Sequence, residues 1–231
     1  MPLPGPLKNL LRGQGRSSAS GGGPPPGHFR HGGSDEPDVV TTRRSRALEE
    51  FFLDIRGQSG LTILDLGGAS QENVNFITSL GHRLYSENFL QILHETFGPN
   101  DTVDHSNPGR IDFFLRQALD YPDDHFDGVL LWDSLEYLAP ALLEAVVSRV
   151  RKIARQKSQM LAFFESDDKL ERVPCYTFRI LELSSLQLTQ RGTRPAVQLF
   201  NNRGLEKLFA DFQSVKFFLT RERLREVLVR V

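Results

Sequence analysis

The chain has a single cysteine, Cys175, among 231 residues. That excludes an internal disulfide framework and any zinc cluster built on cysteine thiolates. No apolar run comes near the roughly 18 residues that a membrane span requires. Charge of one sign is also missing: 28 basic against 29 acidic side chains leave a formal net charge of −1. Nothing in that balance points to nucleic acid or an anionic membrane surface. Lys8 and Arg12 are followed by no sustained apolar segment, which argues against a secretory leader. His82, His94, His105 and His125 show no metal-ligand spacing. The expectation is a soluble, cytoplasmic protein with no membrane partner and no bound metal.

What is present is unevenly spread. Residues 1 to 42 carry Ser17-Ser18-Ala19-Ser20 and Gly21-Gly22-Gly23-Pro24-Pro25-Pro26. Such a composition buries too little apolar surface to offset the entropy of ordering. It predicts a disordered tail, basic at Lys8, Arg12, Arg16 and Arg30, followed by one domain over 43–231.

From there strands and helices alternate. Leu48, Phe51, Phe52 and Ile55 fall at helical spacing and predict a helix over 42–55. Leu61 to Leu66 reads as a strand, Gln71 to Leu80 as a helix, and His82 to Tyr85 as a second strand. A helix over 90–97 and a loop over 98–110 follow. Ile111 to Leu119 fits helix and strand alike, so the third strand has no assigned place. Phe126 to Asp133 is a nearly continuous apolar run, as a buried parallel strand requires. Helix 140–155 and a buried strand, Met160 to Phe164, come next. Tyr176 to Phe200 alternates but is broken by Gly192 and Pro195, which suggests a hairpin or irregular flap. Asn202 is placed to cap a helix over 203–212. Val215 to Leu219 and Glu226 to Arg230 are too close for a crossover helix and should pair antiparallel.

The alternation predicts an α/β fold with a parallel sheet and right-handed crossovers. Its ligand belongs outside the carboxyl ends of the strands. There the first strand delivers Asp65, Gly67, Gly68 and Ala69, the second Glu87 and Asn88, and the Phe126 run Trp132 and Asp133. Asp65 has two readings, orienting the glycine turn or capping the next helix. Glu87 is read as a ligand acceptor or as a loop acid. Asp133 is a ligand contact or a cap near Pro140. Trp132 and Tyr137 read first as core residues. Cys175 is read as an ordinary single thiol without a catalytic role. The first strand lacks the G-x-G-x-x-G that a nicotinamide-dependent oxidoreductase would place after it.

This order of elements, with Asp65-Leu66-Gly67-Gly68-Ala69, Glu87 and the block from Phe126 to Leu138, resembles the class I S-adenosylmethionine-dependent methyltransferases over residues 45 to 231. The resemblance implies a Rossmann-like, doubly wound, mostly parallel sheet of seven strands ending in a C-terminal antiparallel pair. It implies S-adenosylmethionine as cofactor, held by Asp65, Gly67, Gly68, Ala69, Glu87, Asn88, Trp132 and Asp133. Glu87 would accept both ribose hydroxyls, since a charged acceptor makes the stronger bond. The methyl acceptor is unidentified. Glu165, Asp167 and Asp168 would stand nearest its mouth, under a lid formed by residues 170 to 200. Arg172, Arg179, Arg191 and Arg194 in that lid fit either an anionic acceptor or a solvated charged hairpin. No catalytic residue is assigned, because the sulfonium already activates the methyl group and alignment is the protein's main task.

The chain departs from the family pattern in the turn, where Ala69 and Gln71 stand in place of the second and third spaced glycines. It also lacks the family's Pro-Gly-Gly turn, having Arg155 to Gln159 there, and has Tyr137 where histidine is common. These departures support an alternative: a methyltransferase-like domain without catalysis, serving as a binding or scaffold module.

Overall fold

The computed structural model describes residues 39–98, 104–167, 169–218, 220 and 223–231. Strand β1 (Val40–Arg44) precedes helix α1 (Arg46–Asp54), so residues 40–42 of the stretch expected to be tail, and 42–44 of the expected helix, lie in a strand. Ser45 ends the strand and caps the helix, its Oγ accepting from the Leu48 amide at 3.1 Å. Ala47, Leu48, Phe51 and Phe52 form the buried stripe of α1.

The next units follow the predicted alternation: β2 (Thr62–Asp65), α2 (Gln71–Ser79), β3 (Arg83–Ser86) and α3 (Phe89–Phe97). Helix α4 (Pro108–Ala118) then settles the ambiguous segment. Asn107 caps it, Pro108 opens it at a position where no amide hydrogen is needed, and Phe114 and Ala118 are buried one turn apart. Pro108 and Gly109, expected to lie in a loop, belong to this helix. Residues 99–103 of that expected loop lie outside the described residues.

Strand β4 (Phe126–Trp132), a 3-10 turn at Ser134–Tyr137, helix α5 (Pro140–Ile153) and strand β5 (Ala154–Glu165) form the centre. The segment Arg155 to Gln159, read from sequence as a connection, is part of β5. Lys157 has a φ of 67°, and its amide donates to the Val231 carbonyl at 2.8 Å.

A long hairpin of β6 (Arg172–Glu182) and β7 (Ser185–Pro195) turns at Leu183 and Ser184, not at Gly192 or Pro195. Helix α6 (Asn202–Leu208) is capped by Asn201, one residue earlier than expected. Strands β8 (Ser214–Phe218) and β9 (Leu224–Arg230) pair antiparallel, as predicted. Leu219, expected to end the first of them, lies outside the described residues.

The main sheet runs β3-β2-β4-β5-β9-β8. Strands β3, β2, β4 and β5 are parallel, and β9 is antiparallel to β5. Among the described residues it has six strands where seven were expected, because the 111–119 segment is helical. A second sheet, β1-β7-β6, was not foreseen. The alternation of β4 divides the core. Val129 and Leu131 face a cluster with α3, α4 and α5, while Leu130 and Trp132 face α1 and the second sheet. One buried ion pair ties chain-distant parts together. The Arg43 Nη2 lies 3.0 Å from Glu226 Oε1, and Glu226 Oε2 accepts from Ser45 Oγ and the Ala47 amide.

Candidate functional site

Every residue of β2 is buried, and Asp65 at its end is 0% exposed. Three donors converge on its carboxylate. Oδ1 accepts from the Gly67 amide at 2.8 Å and from the Trp132 indole N–H at 2.6 Å. Oδ2 accepts from Asn73 Nδ2 at 3.0 Å. Burial raises the Asp65 pKa, and the three hydrogen bonds oppose that rise. Asp65 therefore orients the glycine turn. The capping role belongs to Ser70, whose Oγ accepts from the Asn73 amide.

The turn fits only small residues. A methyl group on Gly67 would sit 2.8 Å from the indole Cδ1 of Trp132, and Gly68 has a left-handed φ of 87°. Both glycines are laced to the end of β3. Gly67 forms a bridge with Asn88, and the Gly68 amide donates to the Glu87 carbonyl at 3.0 Å. Gly67, Ala69 and Asn88 are exposed, and Gly68 and Glu87 are half-buried. These five make an accessible rim. Within it, Glu87 accepts a hydrogen bond on Oε1 from the Tyr121 hydroxyl. Burial first, then Glu87, pushes the Tyr121 pKa upward. Asn88 caps α3, its Oδ1 accepting from the Gln91 amide at 3.2 Å.

The remaining candidates lie inside. Trp132 is 1% exposed with a left-handed φ of 53°. Its ring stacks on Phe178, centroids 4.9 Å apart and planes 10° apart, and more distantly on Phe163. Asp133 is 3% exposed, and its Oδ2 accepts from the Tyr137 hydroxyl at 2.7 Å and the Tyr176 amide at 3.1 Å. Burial pushes its pKa up to about 6 against those hydrogen bonds. It does not cap α5, whose N-cap is Ala139 without any side-chain bond. Asp65 and Trp132 thus act on anything at the rim through the turn that they support, whereas Asp133 is spent on Tyr137 and the Tyr176 amide.

The hairpin is a docked wall. Val173, Cys175, Phe178, Ile180, Leu186 and Leu188 are all buried beneath it. At about 1.5–3 kcal/mol for each large apolar side chain, lifting the whole hairpin would cost a large share of the domain's stability. Its arginines are engaged locally. Arg172 bonds Thr193, Arg179 lies 3.6 Å from Glu72, and Arg191 bonds Thr177. The Arg194 guanidinium stands over the Tyr137 ring.

At the end of β5, Glu165 is buried, and its Oε1 accepts from the amides of Ser166 and Asp167. The Glu136 carboxylate accepts from the Glu165 amide. Burial raises the pKa of both acids. It also pushes the Cys175 thiol up to about 11, where it is no nucleophile at neutral pH. Asp168 lies outside the described residues. Among the described residues no cluster of three potential metal ligands occurs, and no helix is long and apolar enough to cross a membrane.

Two residues of the site were missed in the sequence. Asn73 stands at 1% exposure between Asp65 and β6. Tyr121 occupies one oxygen of Glu87. Asn73 lies only 8 residues from Asp65, but its other partner, the Phe178 carbonyl, is 105 residues away, and Tyr121 is 34 residues from Glu87.

The order β3-β2-β4-β5-β9-β8, one antiparallel strand inserted beside β5, and an acid-glycine rim at the carboxyl ends of β2 and β3 now stand together. Among the described residues the fold is α/β, a mixed six-stranded sheet flanked by helices. No protein-family model and no curated protein matches the chain. Solved structures do. One is a SAM-dependent methyltransferase from Archaeoglobus fulgidus, with 12% identity over 80% of this chain and 91% of that one and a TM-score of 0.49. Another is the 1,6-didemethyltoxoflavin-N1-methyltransferase of Burkholderia thailandensis with bound 1,6-didemethyltoxoflavin and S-adenosylhomocysteine (12% identity, 80% and 76% covered, TM-score 0.43). A third is the glycopeptide N-methyltransferase MtfA complexed with S-adenosylmethionine (15% identity, 81% and 95% covered, TM-score 0.41). At TM-scores below 0.5 these likenesses are slight.

Proposed function

We propose that the domain binds S-adenosylmethionine along the Gly67–Ala69 and Glu87–Asn88 rim and transfers its methyl group to an acceptor not yet identified. One observation carries this reading. The buried carboxylate of Asp65 holds the Gly67 amide in place, while the neighbouring strand delivers a half-buried carboxylate, Glu87, to the same rim. The residues fit such a ligand: exposed backbone at Gly67 and Ala69 lets a nucleoside approach closely, and Glu87 offers an acceptor to vicinal hydroxyls. The bound sulfonium would supply an activated methyl group. The chain's own part is to fix the turn through Asp65, to accept the hydroxyls at Glu87, and to wall off water on one side with β6.

Calorimetric titration with S-adenosylmethionine and S-adenosylhomocysteine tests this. Saturable binding is expected, weakened about tenfold to a hundredfold in Glu87→Ala, which removes a charged acceptor. A folded protein that binds neither ligand at millimolar concentration overturns the reading.

A second reading is a binding module that does not turn over. It is favoured by Ala69 and Gln71 in the turn and by Tyr121 already occupying Glu87 Oε1. Tight binding of S-adenosylhomocysteine, with no consumption of S-adenosylmethionine beyond its spontaneous decay, would support it.

A further inference from the structure

The glycine turn of this chain is short of glycine, yet its backbone is held from an unusual direction. Asn73 lies in the first turn of α2 and spends its whole carboxamide. Nδ2 donates to Asp65 Oδ2 at 3.0 Å and to the Phe178 carbonyl at 3.1 Å. Oδ1 accepts from the Ile180 amide at 2.8 Å. Trp132 makes a parallel connection, with its indole N–H on Asp65 Oδ1 and its ring face on Phe178. Two independent links therefore run from β6 to the Asp65 carboxylate. That carboxylate in turn fixes the Gly67 amide.

We propose that Asn73 is a positioning residue: with Trp132 it clamps Asp65 to β6, and this clamp sets the turn geometry that spaced glycines would otherwise permit. The physical argument is one of satisfaction. A buried carboxylate keeps one orientation only while its acceptor sites are filled, and an unfilled one reorients or takes up a proton. Without Asn73, Oδ2 loses its donor and only Oδ1 stays anchored, so the carboxylate can tilt and the Gly67 amide meets a less fixed acceptor. Because β6 holds the carboxamide from the far side, the rim takes its shape from a hairpin more than 100 residues downstream.

The inference concerns the turn itself and adds to the cofactor reading a prediction about affinity. Its test uses the full chain labelled with nitrogen-15. In Asn73→Ala the Gly67 amide resonance should move upfield by several tenths of a ppm in the proton dimension, while amides of α5 and β9 stay in place. Asn73→Leu fills a similar volume without a donor to Asp65 and leaves the Trp132 ring beside Gly67 untouched; it should move the same resonance, and it serves if Asn73→Ala fails to fold. An unmoved Gly67 resonance in a folded variant overturns the clamp. In parallel, S-adenosylhomocysteine should bind at least tenfold more weakly to the variant than to the wild type. If the wild type binds no S-adenosyl ligand, the cofactor reading fails and the Gly67 resonance alone judges the clamp. If the resonance moves while affinity is unchanged, the clamp has no positioning role at the rim and the proposal falls.

Discussion

Asp133→Asn should make the protein more stable at neutral pH, and the gain should vanish in acid. In the fold, burial raises this carboxyl from 3.8 to about 6. At about 1.4 kcal/mol for each tenfold in proton affinity, keeping it ionised costs about 3 kcal/mol. The sign follows from which state holds the proton more tightly. Here the folded state does, so the penalty is absent below pH 3.8, grows between about 4 and 6, and is complete above. Asparagine imitates the protonated acid: its amide oxygen can accept from both the Tyr137 hydroxyl and the Tyr176 amide, which now meet at Oδ2. Urea unfolding followed by the fluorescence of Trp132, the one tryptophan, measures both proteins from pH 4 to pH 8. The difference between them should be near zero at pH 4 and reach up to about 3 kcal/mol at pH 8. Asp65, Glu136 and Glu165 are also raised by burial, but they titrate in both proteins and largely cancel in the difference. Glu136 adds in the same direction, because the Asp133 charge opposes its ionisation. A pH-independent difference, or a variant less stable than wild type at pH 8, would refute the claim that this acid is held against its ionisation.

Three other perturbations probe separate parts of the structure. Gly67→Ala forces a methyl group to within 2.8 Å of the Trp132 ring; unfolding should show a loss of about 1–3 kcal/mol together with a shifted emission maximum. Arg43→Ala leaves the Glu226 carboxylate buried without its cation. The expected loss of about 3–5 kcal/mol would appear in a thermal scan as a drop of about 6 to 20 °C. Tyr121→Phe removes the donor on Glu87 Oε1, and if Glu87 accepts ribose hydroxyls the calorimetric affinity for S-adenosylhomocysteine should tighten about two- to tenfold.

The legible parts of this chain are those whose pattern is local. Leu48, Phe51 and Phe52 marked α1, and the unbroken run from Val129 to Trp132 marked a strand buried on both faces. The turn at Asp65 to Ala69 was visible because a carboxylate and two glycines within four positions stand out after an apolar run. What failed to show depends on partners remote in sequence. Val-Thr-Thr-Arg-Arg has no alternation of its own, and β1 exists because β7 presents an open edge to it. The 111–119 segment carries apolar residues at both helical and strand spacing, and the Asn107 cap with Pro108 decides for the helix. At the site, the residue types were readable but their orientation was not. Asp65 and Asp133 were both candidates for the ligand site, yet each is filled by donors from β6, α2 or the 3-10 turn.

The pairing of Arg43 with Glu226 spans 183 positions of the chain. During synthesis at about 5–20 residues per second, roughly 10 to 40 s separate the appearance of the two. Strand β1 must wait nearly as long for β7, its only strand partner among the described residues. The first strand among the described residues is thus among the last to find its partners. Until then its arginine stays hydrated and its edge unpaired, and completion of the fold is timed by the arrival of β9.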